Sequence, residues 1–251
     1  MPKWKDKGII LKSDKHGEKG TILTVFTEEH GRYLGWQYMS SKKKVFFQPG
    51  DIVNLTWNAR LSEQLGVFNF DTGKSTIGKI IGDFFRLSIL ASFCSLINVM
   101  LPERENCHNF FQICKNFLNI LTDENVSNIK MPKKYLEWEI SLLAEVGISL
   151  NFTQCVLTGS RDNLKYVSPK SGCAVSEEYR GEYKRQLIDL PNCLGGKKLL
   201  NDSEYHDLIG GFNLTNYFFK KFFHSIDYNY INNPLVARTE LIKNLELKFF
   251  K

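Results

Sequence analysis

The sequence predicts an α+β protein: a small five-stranded barrel in the first third, followed by an α-helical domain. Three observations carry that expectation. The first 75 residues hold five short strand-like runs, turn-forming clusters punctuate them at short intervals, and from about Thr76 the apolar period becomes helical. The chain has 251 residues, 43% of them hydrophobic and 24% charged, which suits a globular protein with a sizeable core. The same figures exclude disorder, collagen-like repetition and a disulfide scaffold. A domain boundary is expected near 79/80, dividing the chain into 1–79 and 80–251.

Each element can be justified in order. Gly8–Leu11 is an apolar run closed by the turn residues Ser13–Gly17. Thr21–Thr27 is rich in β-branched residues and stops at Glu28-Glu29-His30-Gly31. Arg32–Tyr38 alternates with period two, which puts Tyr33 on the opposite face to Leu34 and Trp36. After the basic run Lys42-Lys43-Lys44 and the turn Gln48–Asp51 come Ile52–Trp57 and Gly66–Phe70. Five short strands of this kind suit an OB-fold, with an SH3-like barrel as the competitor that spacing alone leaves open. In the helical part, Phe110, Ile113, Cys114, Phe117, Leu118 and Leu121 form one stripe. Pro132 opens the next helix where its missing N–H costs nothing, and Gly147 marks the stop. An irregular, zinc-finger-like insert covers about 150–176. Helices follow at about 202–226 and 234–249, the second with Leu241, Leu245 and Phe249 on one face.

Charge narrows the functional classes. Residues 1–79 hold 13 Lys/Arg against 8 Asp/Glu, whereas 80–251 hold 20 against 19. The basic excess therefore sits on the barrel, where it would attract phosphate backbones. Candidate contacts are Lys12, Lys15, Lys19, Arg32, Lys42, Lys43, Lys44 and Arg60, with Trp36 among them as a stacking ring. The uncharged stretch Leu87–Leu101 is shorter than the about 20 residues that span a bilayer, and the N-terminus lacks the apolar core of a signal peptide. Six scattered cysteines fit reduced thiols, so a cytoplasmic protein is expected.

Catalytic and metal motifs are weak. Gly73-Lys74-Ser75 resembles the end of a phosphate-binding loop, but the upstream glycine position holds Phe68. Cys155 and Cys173 are each followed three residues later by Thr158 and Ser176, so each half of a possible zinc site has one sulfur. Cys107 and Cys114 suit small buried thiols. The five histidines show no nearby carboxylate or nucleophile pattern in sequence. We therefore expect no metal, no cofactor and no enzyme activity.

Several short motifs, in order, resemble the RecO family of DNA repair proteins. They are Trp4, Gly17-Glu18, Thr27–Gly31, Gln48-Pro49-Gly50, Trp57–Leu61 with Gln64-Leu65-Gly66, Gly147-Ile148, Cys155–Gly159, Tyr166–Gly172, Leu190-Pro191 and Pro234–Arg238. The resemblance implies an N-terminal OB-fold and a helical domain. It also implies binding to single- and double-stranded DNA, strand annealing, and work with RecR and SSB that helps RecA load. Many members of the family carry a four-cysteine zinc site, from which Thr158 and Ser176 depart. An acidic, apolar-ended SSB tail would need an apolar groove beside a cation. Lys115 near Phe111 and Phe117, Arg86 near Phe84 and Phe85, or Lys220-Lys221 among Phe218, Phe219, Phe222 and Phe223 could supply it, although these rings suit a core equally. Two other readings stay open: an RNA-binding OB-fold module of translation, and a metal-dependent nuclease that no carboxylate cluster supports.

Overall fold

The computed structural model of the chain describes residues 1–17, 20–38, 47–61, 63–179, 181, 186–196, 204–226 and 235–249. Five strands, β1 (Lys3–His16), β2 (Gly20–Thr27), β3 (Gly31–Tyr38), β4 (Ile52–Asn58) and β5 (Gly66–Lys74), close a barrel in the order β1-β2-β3-β5-β4. This five-stranded closure is the OB-type solution. β1 is longer than the apolar run Gly8–Leu11 suggested, because it serves two neighbours. It pairs antiparallel with β4 over Lys3–Ile9 and with β2 over Gly8–His16. A bulge between Ile10 and Lys12 inverts its alternation, so odd positions face outward before it and even positions after it. Ile10, Leu23, Val25, Val53, Leu55, Trp57, Ala59 and Phe68 fill the barrel, with Trp4 and Tyr33 packed against them. The seam is short: β3 and β5 run parallel and pair only at Gly35↔Gly66 and Trp36↔Val67.

The first compact unit takes Met1–Asn128 and Asn233–Asn244, and the second takes Ile129–Asn232 and Leu245–Lys251. The switch to helix after the barrel therefore lies inside the first unit. A single turn, α1 (Ile77–Ile80), leads to α2 (Phe84–Met100) and α3 (His108–Leu121). The Asp83 carboxylate caps α2 by accepting the N–H groups of Phe85 (3.0 Å) and Arg86 (3.1 Å). α3 buries Phe110, Phe111, Cys114, Phe117, Leu118 and Leu121. Ile113, expected on that stripe, is exposed; Phe111 takes the inward place, with Phe110 and Phe111 against Phe26 of β2.

In the second unit α4 (Met131–Glu145) carries Pro132 in its first turn, as the sequence predicts. α4 packs on α5 (Glu204–Ser225), and the Thr215 hydroxyl donates to the buried Glu139 carboxylate at 2.7 Å. Between them the insert holds a three-stranded sheet, order β7-β6-β8, made from β6 (Leu164–Val167), β7 (Ala174–Ser176) and β8 (Ile188–Asp189). Strands of two to four residues leave no periodicity to read, which is why this region looked irregular. α6 (Val236–Phe249) buries Leu241 and Leu245; Pro234, expected to open it, lies outside the described residues. Among the described residues no helix is long and apolar enough to cross a membrane.

Candidate nucleic-acid interface

The cations expected to bind polyanion do not form one cluster. Lys12 is exposed but ion-paired with Asp14 at 2.6 Å. Lys15 is exposed on the other face of β1, opposite Thr21, so strand alternation separates it from Lys12. Arg32 is drawn inward. Its Nε donates to the Leu101 carbonyl at 2.9 Å and its Nη2 lies 3.5 Å from Glu103, leaving the side chain 15% exposed. Burial pulls its pKa below the ordinary value, against the opposing charge of Glu103. Arg32 thus joins β3 to the segment before α3. Arg60 is exposed in the β4–β5 loop, beside Leu61. Lys19, Lys42, Lys43 and Lys44 lie outside the described residues. Trp36 is half-buried on β3. It meets the edge of His16 (5.4 Å between centroids) and Tyr38 (5.9 Å), and its indole N–H has no partner among the described residues.

A row that sequence reading missed lies at the start of β1. Lys3, Lys5 and Lys7 occupy alternate positions opposite Asn58, Thr56 and Asn54 of β4, and Thr56 in turn faces Asn69 of β5. Lys3, Lys5, Asn54 and Asn69 are exposed, and Lys7 and Asn58 are half-buried. The signal is present as Lys-x-Lys-x-Lys, one lysine at every second residue, ahead of the apolar run Gly8–Leu11 that marks the strand in sequence. The intervening Asp6 points the other way. Its side chain is only 3% exposed and accepts from the N–H groups of Lys7 (2.7 Å) and Glu29 (3.0 Å) and bonds His30 Nδ1 at 2.7 Å.

That pair corrects the expectation that no histidine has a carboxylate nearby. His30 meets Asp6, and His108 meets Glu29 at 2.8 Å, across sequence separations that no local motif reveals. Donor atoms of Glu28, Glu29 and His108 lie within 4.8 Å of one another, close enough to hold a metal ion. Their own bonds account for the grouping. Gln112 of α3 donates to Glu28, and Asn106 donates to the Glu29 carbonyl at 2.8 Å, fastening the β2–β3 turn to the start of α3. Gly73 and Lys74 end β5, and the Ser75 hydroxyl that follows accepts the Gly78 N–H of α1 at 3.1 Å.

The insert does not fit a four-sulfur zinc site. Cys155 is only 1% exposed and its Sγ is ringed by donors, with the Ser176 N–H at 3.4 Å and its hydroxyl at 3.6 Å. Cys173 Sγ instead faces the Ser171 carbonyl at 3.6 Å. Burial opposes a charge on Cys155. Hydrogen bonds from Ser176, Thr158 and the Leu157 N–H outweigh it and lower the thiol to about 6. Because the folded value is depressed, the stability this group contributes is complete above the free-thiol value of 9.0 and is lost as pH falls through about 6. Ser176→Ala is expected to raise the Cys155 pKa toward its ordinary value, read from the Cβ chemical shift of labelled cysteine across pH. An unchanged titration would remove the hydroxyl from the account.

Most of the rings considered for a peptide tail are buried and two of the cations are engaged, whereas Lys220 is exposed and Lys115 and Phe222 are half-buried. Phe85, Phe111, Phe117, Phe218, Phe219 and Phe223 are buried, Lys221 donates to the Pro169 carbonyl at 2.8 Å, and Arg86 is buried among carbonyls. Phe84 and Ile81 remain as exposed apolar side chains, each 71% accessible.

Comparison with known proteins agrees with this architecture. Residues 1–72 match the family model described as recombination protein O N terminal, and residues 81–220 match recombination protein O C terminal. A DNA repair protein RecO of Cereibacter sphaeroides is 38% identical over 199 residues, covering 78% of this chain and 81% of its own length. The protein of that name from Rickettsia bellii is 38% identical over 225 residues, covering 88% and 90%. One from a Wolbachia strain of Drosophila simulans is 30% identical over 223 residues, covering 88% and 92%. With matches of this extent on both sides of the barrel-to-helix transition, the chain belongs to the recombination protein O (RecO) family.

Proposed function

We propose that this DNA repair and recombination protein is a non-enzymatic mediator. It binds single- and double-stranded DNA, anneals complementary strands, and works with RecR and SSB so that RecA can load. The observation that carries the reading is family membership across both the barrel and the helical part. The physical requirements are simple. Two like-charged strands must have their phosphate repulsion neutralised while their base edges stay free to pair, and a cationic sheet that holds backbone without reading sequence meets both. No bond is made or broken in that process. The six thiols are free, which suits work in the cytoplasm.

Annealing of complementary dye-labelled oligonucleotides, bare and SSB-coated, tests the proposal. The chain is expected to accelerate both reactions, and the gain should shrink steeply as salt rises. Changing Lys42, Lys43 and Lys44 together to Glu is expected to slow annealing by about tenfold or more, since three positive charges become negative. Failure of the unaltered chain to accelerate annealing of bare strands would overturn the reading.

A further inference from the structure

We infer that the outward face of β1, β4 and β5 is a backbone-holding surface on which Lys3, Lys5 and Lys7 contact successive parts of one polynucleotide strand. The inference rests on the mediator reading and says where on the barrel the strand lies. Strand geometry spaces the three lysines about 7 Å apart in a straight row. The register sets beside them the amides of Asn58 and Asn54, with the buried Thr56 between them, then the exposed Asn69. Lys74, opposite Ile52 and exposed, ends the face on the β5 side.

Charge accounting separates this row from Lys12 and Arg32. Lys12 is neutralised by Asp14, and Arg32 is held by Leu101 and Glu103. Among the described residues no carboxylate pairs with Lys3, Lys5 or Lys7. Asp6, the one acid interleaved with them, is turned to the opposite face and occupied by His30 and two backbone N–H groups. β4 contributes no acid, and β5 contributes only Asp71, beside the irregularity in its pairing with β4.

Among the described residues the face is also free of rings. Trp4, Trp57, Phe68 and Phe70 belong to the inward set that fills or packs against the barrel core. A surface with cations and amides but no aromatic platform cannot stack bases, so it recognises the repeating phosphate and leaves the bases outward. Its aliphatic members are few: Val67 on the row of Asn58 and Ile52 opposite Lys74 are half-buried, and Ile9 beside Ile52 is buried, which offers little to the apolar side chains of an acidic peptide. The ligand class that fits is therefore the sugar–phosphate backbone itself.

The test is fluorescence anisotropy of a labelled oligothymidylate bound to the full chain across a salt series. Lys3, Lys5 and Lys7 are changed together to Gln, and a charge-matched control carries Gln at Lys130, Lys133 and Lys134, which are exposed on and beside α4. Each lost single-strand contact takes about 0.7 from the slope of log K against log salt, so the β1 variant should lose about 2. At about 0.1 M salt that corresponds to roughly 100-fold weaker binding. A triple Lys→Arg variant should retain the slope, and the single change Lys5→Gln, which perturbs the strand least, should take about 0.7. If unaltered chain binds with a salt slope but the β1 variant matches the control, the inference fails and the mediator reading stands. Absence of salt-dependent binding by the unaltered chain would instead bring down the mediator reading itself. Displacement of the oligonucleotide by polyglutamate as readily as by unlabelled DNA would assign the face to an acidic protein and overturn the inference.

Discussion

Changing Arg86 to leucine is expected to cost the folded chain about 3–4 kcal/mol. Arg86 enters α2 in its first turn and is only 7% exposed. Its guanidinium donates to the carbonyls of Leu121 (2.5 Å) and Asp123 (2.9 Å), to that of Val126, and to the Asn128 side chain at 3.1 Å. Asn128 in turn donates to Asp83 at 2.7 Å, which closes the circuit on the carboxylate that caps α2. One planar cation thereby satisfies acceptors at the end of α3 and in the following turn that have no further helix to serve them. Leucine would fill part of the volume and leave those acceptors buried without donors. Lysine would keep the charge but lose the fork, so Arg86→Lys should recover only a minor part. For a chain of this size the leucine variant should melt roughly 6–16 °C lower, and a shift within about 1 kcal/mol of zero would show the circuit to be idle.

Acid weakens the same circuit. Burial works against the Asp83 charge, but hydrogen bonds from Asn128 and from the Arg86 and Phe85 N–H groups, with the Arg86 cation, hold its carboxyl below the usual value of 3.8. Its contribution is therefore complete above pH 3.8 and disappears as pH falls through the lower folded value.

Gly31→Ala is expected to cost about 3–5 kcal/mol, for two reasons that compound. The residue has φ +77°, in the left-handed region that side chains rarely adopt. A Cβ there would also stand 1.9 Å from the Glu105 carbonyl oxygen and 2.6 Å from its carbon. Backbone cannot rotate away as a side chain can. The segment that must move is anchored by the Arg104 N–H on the Arg32 carbonyl (3.0 Å) and by Asn106 on Glu29. Chemical denaturation of the variant checks the figure. A loss below about 1 kcal/mol would mean that the strap of residues 103–106 yields freely.

How much of this was legible in the sequence depended on how local the cause was. β2 and β4 were readable because their inward residues, Leu23, Val25, Val53 and Leu55, are apolar and alternate. The first half of β1 was not, because an inward position is filled by Asp6, whose partner His30 lies 24 residues away. That same acid hid the lysine row, which looked like an ordinary charged N-terminus. The α3 stripe was visible apart from Phe111, which is buried because Phe26 of a distant strand receives it. Arg86 looked like a free cation beside phenylalanines, since nothing local says that the turn after α3 comes back to it. The bonds around Cys155 were half visible: Thr158 and Ser176 stood at suggestive positions, but their hydroxyls do chemistry different from that of the sulfurs they stand in for.

The short seam between β3 and β5 has a mechanical consequence. Every other border of the barrel is a long antiparallel ladder, whereas this one is held by two residue pairs. The Phe68 ring lies over Gly35 and the indole of Trp57 lies over Gly66, so large side chains cover the place where backbone pairing is sparse. The cylinder consequently has a preferred line of rupture. Under load it would unroll there into a curved five-stranded ribbon with its remaining ladders whole, and re-closure would need only those two rings to find their glycines again.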